Sequence, residues 1–176
     1  MGCDFLNKPE FNKEDSIIDE INDFDRMAQL LKTKGEAHSL TKGASWRPLF
    51  REHRDIVVIK RLERDIKVND VLLYRKRGHS ALVLHRLIRI KKDGSLVFRG
   101  DNNYFTEYDI ARSDIVGILS EFYREGKYGS CQDKRYLRYS FYIRHSYALR
   151  YFWKILFRPT IGKIKRKILR QNPVSN

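Results

Sequence analysis

From Leu40 to Tyr123 the spacing of apolar residues is that of strands. Asp55 to Lys60, Val71 to Arg75, Ala81 to Lys91, Ser95 to Arg99 and Ile115 to Tyr123 are apolar runs, largely β-branched or aromatic, separated by polar turn residues. Lys92-Asp93-Gly94, between two of these runs, is a good hairpin turn, since Asp-Gly supplies the positive φ angles that a tight turn needs. The expectation is a predominantly antiparallel β domain.

On either side the period changes. Residues 14–34 place Ile17, Ile18, Ile21, Phe24, Met27, Leu30 and Leu31 at helical spacing, with Asp19, Glu20, Asp23 and Asp25 opposite and Gly35 as a stop. This predicts an acidic amphipathic helix that packs on the domain. A helix-turn-helix reader of DNA would need a second helix and basic residues there, and the stretch has neither. At the other end, residues 134–176 hold twelve Lys or Arg and no Asp or Glu, so the tail carries most of the net charge of +14. In it Phe141, His145, Ala148, Leu149, Phe152, Trp153 and Leu156 fall at steps of three and four, one face of a helix. Past Pro159 the basic run continues through Gly162 to Arg170.

A chain of 176 residues with 41% hydrophobic residues can bury one real core with terminal additions. Cys3 and Cys131 are far apart and in no ligand spacing, which suits a reducing compartment and gives no disulfide framework. His38, His53, His79 and His145 share no metal-ligand spacing, and no phosphate-binding glycine loop occurs. Neither a metal nor a cofactor is expected. No run of about 18 apolar residues is present, and the acidic start does not read as a secretory signal. Met1-Gly2-Cys3 lacks the Ser or Thr that myristoylation wants, because position 6 is Leu6.

Within the β segment three short motifs follow in order: Gly43-Ala44-Ser45-Trp46-Arg47-Pro48, Leu84-His85-Arg86 and Gly100-Asp101-Asn102-Asn103. They contain the side chains of base-activated acyl transfer. A serine hydroxyl is a weak nucleophile at neutral pH and needs a base, for which histidine is the default. A carboxylate then holds the imidazole tautomer and stabilises the imidazolium. Each member also has an ordinary structural reading: Ser45 as a turn residue, His85 as a buried, backbone-bonded histidine, and Gly100 to Asn103 as a turn after a strand. Gly43 and Pro48 would let the serine loop present the hydroxyl and a backbone N–H to an oxyanion. A second donor is not assigned by the motif.

The ordered set resembles the type I signal peptidase family, in the branch that has histidine where most bacterial members have lysine. The likeness spans residues 41 to about 120, with forty residues from Ser45 to His85 and sixteen on to Asp101. It implies Ser45 as nucleophile, His85 as general base, and Asp101 as the group that orients it. The second carboxylate that this branch uses lies a few residues later, where Glu107 and Asp109 are the alternatives; Asp101 would then form an ion pair with Arg86 or Arg99. Two departures stand out. Trp46 replaces the usual methionine, either narrowing the cleft or packing beside it, and residues 1–42 contain no membrane-spanning helix.

The resulting expectation is a mainly β, signal peptidase/LexA-like antiparallel domain with an N-terminal amphipathic helix and basic C-terminal helices. Its divisions are residues 1–40 (acidic helix), 41–125 (catalytic β domain) and 126–176 (basic, aromatic tail). The expected activity is serine endopeptidase cleavage of a leader or signal peptide, with a peptide or protein as partner, Ser45, His85, Asp101 and Asp109 as site residues, and no cofactor. The expected place is the cytoplasm, peripheral at the inner face of the membrane. For the tail, residues 134–170, docking on an anionic membrane surface and plain packing weigh equally, with nucleic acid behind both. The rival functions are a catalytically silent β module that binds through this tail and a self-cleaving repressor-like regulator.

Overall fold

Strand-forming residues dominate the middle of the chain, and a computed structural model, which describes residues 17–18, 24–76 and 82–157, joins them into one sheet. Its elements are β1 (Ile17–Ile18), α1 (Phe24–Thr33), β2 (Glu36–Leu40), β3 (Ile56–Lys60), β4 (Val71–Arg75), β5 (Leu82–Ile90), β6 (Leu96–Arg99), β7 (Glu107–Ile110), β8 (Ile115–Arg124) and β9 (Lys127–Ser130). The strand order is β1-β2-β3-β8-β4-β5-β6-β7, with β9 also paired to β8. Every pairing is antiparallel except β1 with β2. The long strand β8 makes this possible: Ile118 to Tyr123 pair with β3, Ile115 to Ile118 with β4, and Glu121 to Arg124 with β9.

One face of the sheet carries an apolar cluster of Ile66, Leu72, Tyr74, Leu87, Leu96, Phe98 and Ile110. Cross-strand registry puts these on a common side, since Leu72 faces His85 and Leu87 faces Phe98. Tyr74 stacks on Phe98 with ring centroids 4.3 Å apart. Each large side chain in such a cluster stabilises the fold by roughly 1.5–3 kcal/mol of transfer free energy. His85 lies at the margin of this face.

The N-terminal expectation needs correction. Ile17 and Ile18 are not helical but pair as a short parallel strand with His38 and Ser39. Two adjacent β-branched residues lose side-chain freedom in a helix and suit a strand beside the β2 edge. Among the described residues the helix is α1; it buries Met27 and Leu31, and Gly35 follows it at φ 77°. Residues 36–40 are strand β2 and 127–130 are strand β9, so the divisions at 40 and 125 cut through the sheet unit. The chain divides instead into two compact units, residues 1–133 and 134–176.

The β5–β6 hairpin closes over Lys92-Asp93-Gly94 as expected, with Gly94 at φ 81° and Lys91 N–H bonded to Ser95 O at 2.9 Å. Only Gly94 takes a positive φ there; Asp93 instead accepts bonds from the Ser95 N–H and hydroxyl.

The second unit contains α2 (Lys134–His145), α3 (Tyr147–Tyr151) and a π-helical turn at Phe152–Phe157. Leu137, Phe141, Leu149 and Trp153 are all more than half exposed, and His145 stacks on Phe141 at 3.9 Å. Among the described residues no helix is long and apolar enough to cross a membrane. The basic run from Gly162 to Arg170 and the Met1-Gly2-Cys3 start lie outside the described residues.

Candidate active site

Ser45 sits in a loop that is held shut at its base. Thr41 donates its hydroxyl to Arg51 O at 2.7 Å and to Asp55 O at 3.0 Å, and its N–H also bonds Asp55 O. Asp55, completely buried, accepts from Arg51 N–H and from the Arg54 guanidinium. Burial alone would raise its pKa, but the Arg54 guanidinium and the Arg51 and Glu125 N–H groups outweigh that and hold it below the usual carboxylate value. Between these anchors Gly43, at φ 78°, turns the chain, and its N–H bonds Glu52.

The loop is tied to both other motifs. Asn102 donates its N–H to Ser45 O at 2.8 Å and its carboxamide to Ala44 O at 2.9 Å. Trp46 is buried and donates its indole N–H to Leu84 O at 2.9 Å, with its ring tilted against Phe50. Trp46 therefore packs into the domain while also forming part of the wall of the adjoining cleft. It fixes the loop to β5 one residue before His85.

The closest convergence is at Gly100. A Cβ added there would lie 2.9 Å from each of Ser45 Cβ, His85 Nε2 and Asn103 Nδ2. Ser45 Cβ and His85 Nε2 are thus no more than twice that distance apart. A Cβ there would force the serine, the imidazole or the amide to shift, and glycine at this corner avoids that.

At the other ring nitrogen stands Glu107. Its Oε2 lies 3.2 Å from His85 Nδ1, and it also accepts the Tyr74 hydroxyl, while Lys76 Nζ is 3.4 Å from Oε1. The hydrogen bond from His85 is the main cause that brings Glu107 down to about 2, against the opposing effect of burial; the Tyr74 hydroxyl and the Lys76 charge add to it. Glu107 is therefore ionised at neutral pH. Burial, and then its bond to that carboxylate, push the Tyr74 phenol up, so Tyr74 stays a neutral donor.

Registry explains why Glu107 is the carboxylate placed here. Phe98 pairs with Leu87 on one side and with Glu107 on the other, so Glu107 shares the face of Leu87 and hence of His85. A bulge between β6 and β7 then slips the alternation by one residue. Asp109 falls after that slip at φ 62°, and its largely exposed carboxylate bonds Lys91 Nζ at 2.7 Å. Asp101 is spent differently: both its oxygens accept from the Arg86 guanidinium at 2.8 Å, and both side chains are buried. Neither Asp101 nor Asp109 is the carboxylate at Nδ1, which corrects the sequence assignment in favour of its stated alternative.

Beside this cluster runs a cleft of about 200 Å³ lined by Thr41 to Gly43, Ser45, Trp46 and Leu82 to His85. Leu87 spends its N–H and carbonyl on Asp70 and Asn69, so by alternation Leu82 and Leu84 direct theirs away from β4. On that side β6 begins pairing only at Arg86, and the Leu84 carbonyl is already taken by the Trp46 indole N–H, so among the described residues the part of the β5 edge left open toward the cleft is Leu82 and the Leu84 N–H.

The sequence motifs do not include Tyr74, and they include Asn103 only as part of a turn. Tyr74 stands in a strand that was recognised, but only the β4–β5 register puts its hydroxyl beside His85. Among the described residues no group of three or more His, Cys, Asp or Glu could hold a metal ion. No protein-family model matches this chain, and no curated protein matches it.

Proposed function

We propose that this protein is a serine endopeptidase of the signal peptidase-like type, acting on a leader or signal segment through Ser45, His85 and Glu107. The observation that carries the reading is the meeting of Ser45 Cβ and His85 Nε2 around Gly100, with an ionised Glu107 on the far ring nitrogen. The order of the three motifs and the mainly antiparallel sheet fit the signal peptidase/LexA-like architecture, which is part of the proposal. A peptide entering the cleft as an extended strand would add to the part of the β5 edge left open, at Leu82 and the Leu84 N–H.

The chemistry then runs as acyl transfer. Ser45 Oγ attacks the scissile carbonyl carbon while its proton passes to His85 Nε2. Glu107 accepts the Nδ1–H, holds the ring in the productive tautomer and stabilises the imidazolium; Tyr74 and Lys76 keep Glu107 in place. The C–N bond breaks as the proton moves from Nε2 to the leaving amine. Water, giving a proton to Nε2, then attacks the acyl group, and the ester bond to Oγ breaks as Ser45 regains its proton. No step requires a metal or a cofactor.

The test is co-expression with candidate leader peptides, comparing wild type with Ser45→Ala. Processing by wild type alone is expected. Equal processing by both would leave a catalytically silent β module; cleavage confined to the protein's own chain would mark a self-cleaving regulator.

For the second unit we propose docking on an anionic membrane surface, supported by the exposed Leu137, Phe141, Leu149 and Trp153 and by the lack of any acidic residue after Asp133. Sedimentation with anionic but not neutral vesicles, weakening as salt rises, is expected. Binding to single-stranded nucleic acid with no vesicle binding would overturn it.

A further inference from the structure

Acyl transfer needs donors for the oxyanion as well as a nucleophile and base, and the Ser45 N–H is the serine loop's own candidate for one of them. The corner at Gly100 holds another group. Asn103 Nδ2 is 2.9 Å from the point that is equally near Ser45 Cβ and His85 Nε2. Asn103 belongs to the turn that closes with its own N–H on Gly100 O at 2.9 Å, so its backbone is fixed while its side chain reaches forward. Among the described residues its carboxamide makes no hydrogen bond. Its neighbour differs in this respect: the Asn102 carboxamide is occupied on Ala44 O, where it clamps the serine loop. Two adjacent asparagines thus have separate duties, one tying the loop and one presenting an unengaged donor beside the nucleophile.

We propose that Asn103 is a catalytic residue that donates its side-chain N–H to the substrate carbonyl oxygen, strengthening that bond as the oxygen becomes an oxyanion. The inference rests on the peptidase reading above. Gly100 serves it by leaving room: any side chain there would sit between the amide, the imidazole and the serine. The charge that develops on the carbonyl oxygen when Ser45 Oγ adds is met by the Ser45 N–H on one side and by Asn103 on the other. A donor aimed at the transition state acts on kcat with little effect on KM.

The probe is acetyl-trialanyl boronic acid, whose boron takes a tetrahedral adduct from an active serine and places a negative oxygen in the oxyanion position. Affinity is measured by competition and the adduct by boron NMR, with the matching trialanine carboxylate as non-covalent control. The proteins are wild type, Ser45→Ala, Asn103→Ala and the near-isosteric Asn103→Asp, each checked for folding by circular dichroism. Wild type should form the adduct and Ser45→Ala should not. Both Asn103 variants should bind the boronate about 10²-fold or more weakly and lose about 10²–10³-fold in kcat on any leader the wild type cleaves, and Asn103→Ala should lose less affinity for the carboxylate control than for the boronate. Wild-type adduct affinity and kcat in a folded Asn103 variant would overturn the role of Asn103 and leave the peptidase reading intact. No adduct and no cleavage by wild type would overturn the peptidase reading, and this role with it.

Discussion

His85 and Arg86 are neighbours on β5 that face opposite sides of the sheet, and each meets a carboxylate from the segment after β6. The two pairs have similar ingredients and different states. Arg86 and Asp101 form a closed, two-point ion pair in which both side chains are essentially inaccessible. His85 and Glu107 form an open one: a single contact to Nδ1, a partly accessible carboxylate, and Nε2 left facing Ser45 across a cleft. The first pair commits both carboxylate oxygens to one guanidinium. The second leaves His85 Nε2 without a hydrogen bond among the described residues. The comparison teaches that the Gly-Asp-Asn-Asn motif braces this corner, through Arg86 and the Ser45 loop, while the carboxylate on His85 comes from the next strand.

The sharpest way to break the comparison is to damage each pair by one isosteric change. Glu107→Gln should lower kcat by about 10²–10⁴-fold with the fold intact, because the amide no longer enforces the tautomer or stabilises the imidazolium. Peptide cleavage kinetics with circular dichroism check this. Asp101→Asn should do the reverse in kind: stability falls by roughly 3–5 kcal/mol, since the buried Arg86 guanidinium loses the carboxylate that faces it. Urea unfolding measures that loss. A mild Asp101→Asn with an inactive protein would mean that the two carboxylates had been assigned the wrong way round.

A smaller effect sharpens the comparison through pH. Glu107 lies near 2 in the folded state against an ordinary 4.5, so its contribution to stability is fully present above about pH 4.5 and is lost as pH falls toward 2. Wild type should therefore lose stability more steeply across that window than Glu107→Gln, which has no such carboxyl to protonate. Thermal melts at pH 5 and pH 3 for both proteins show the difference. Identical slopes would mean that Glu107 is not held ionised by His85, Tyr74 and Lys76.

Much of this was legible in the residues. Strands such as Val71–Arg75 and Ile115–Arg124 announce themselves by dense β-branched and aromatic residues. Strand β7, Glu-Tyr-Asp-Ile, does not, because two acids and a bulge hide its alternation, and with it went the choice between Glu107 and Asp109. Ile17 and Ile18 misled in the other direction: their spacing fits a helix, yet pairing with β2 decides their state. Ser45 and His85 could be named from motif order, but Tyr74 and Asn103 could not. Their roles depend on which strands are neighbours and on how closely a chain approaches Gly100, and neither is written in local spacing.

The central claim is that Ser45 and His85 work as one device. Cleavage kinetics of wild type, Ser45→Ala, His85→Ala and the double variant on a single processed leader test it most directly. Groups that act as a unit are strongly non-additive, so each single variant should lose nearly all activity and the double variant should be no worse than either. Independent losses that multiply in the double variant, or a single variant that retains wild-type cleavage, would contradict the account.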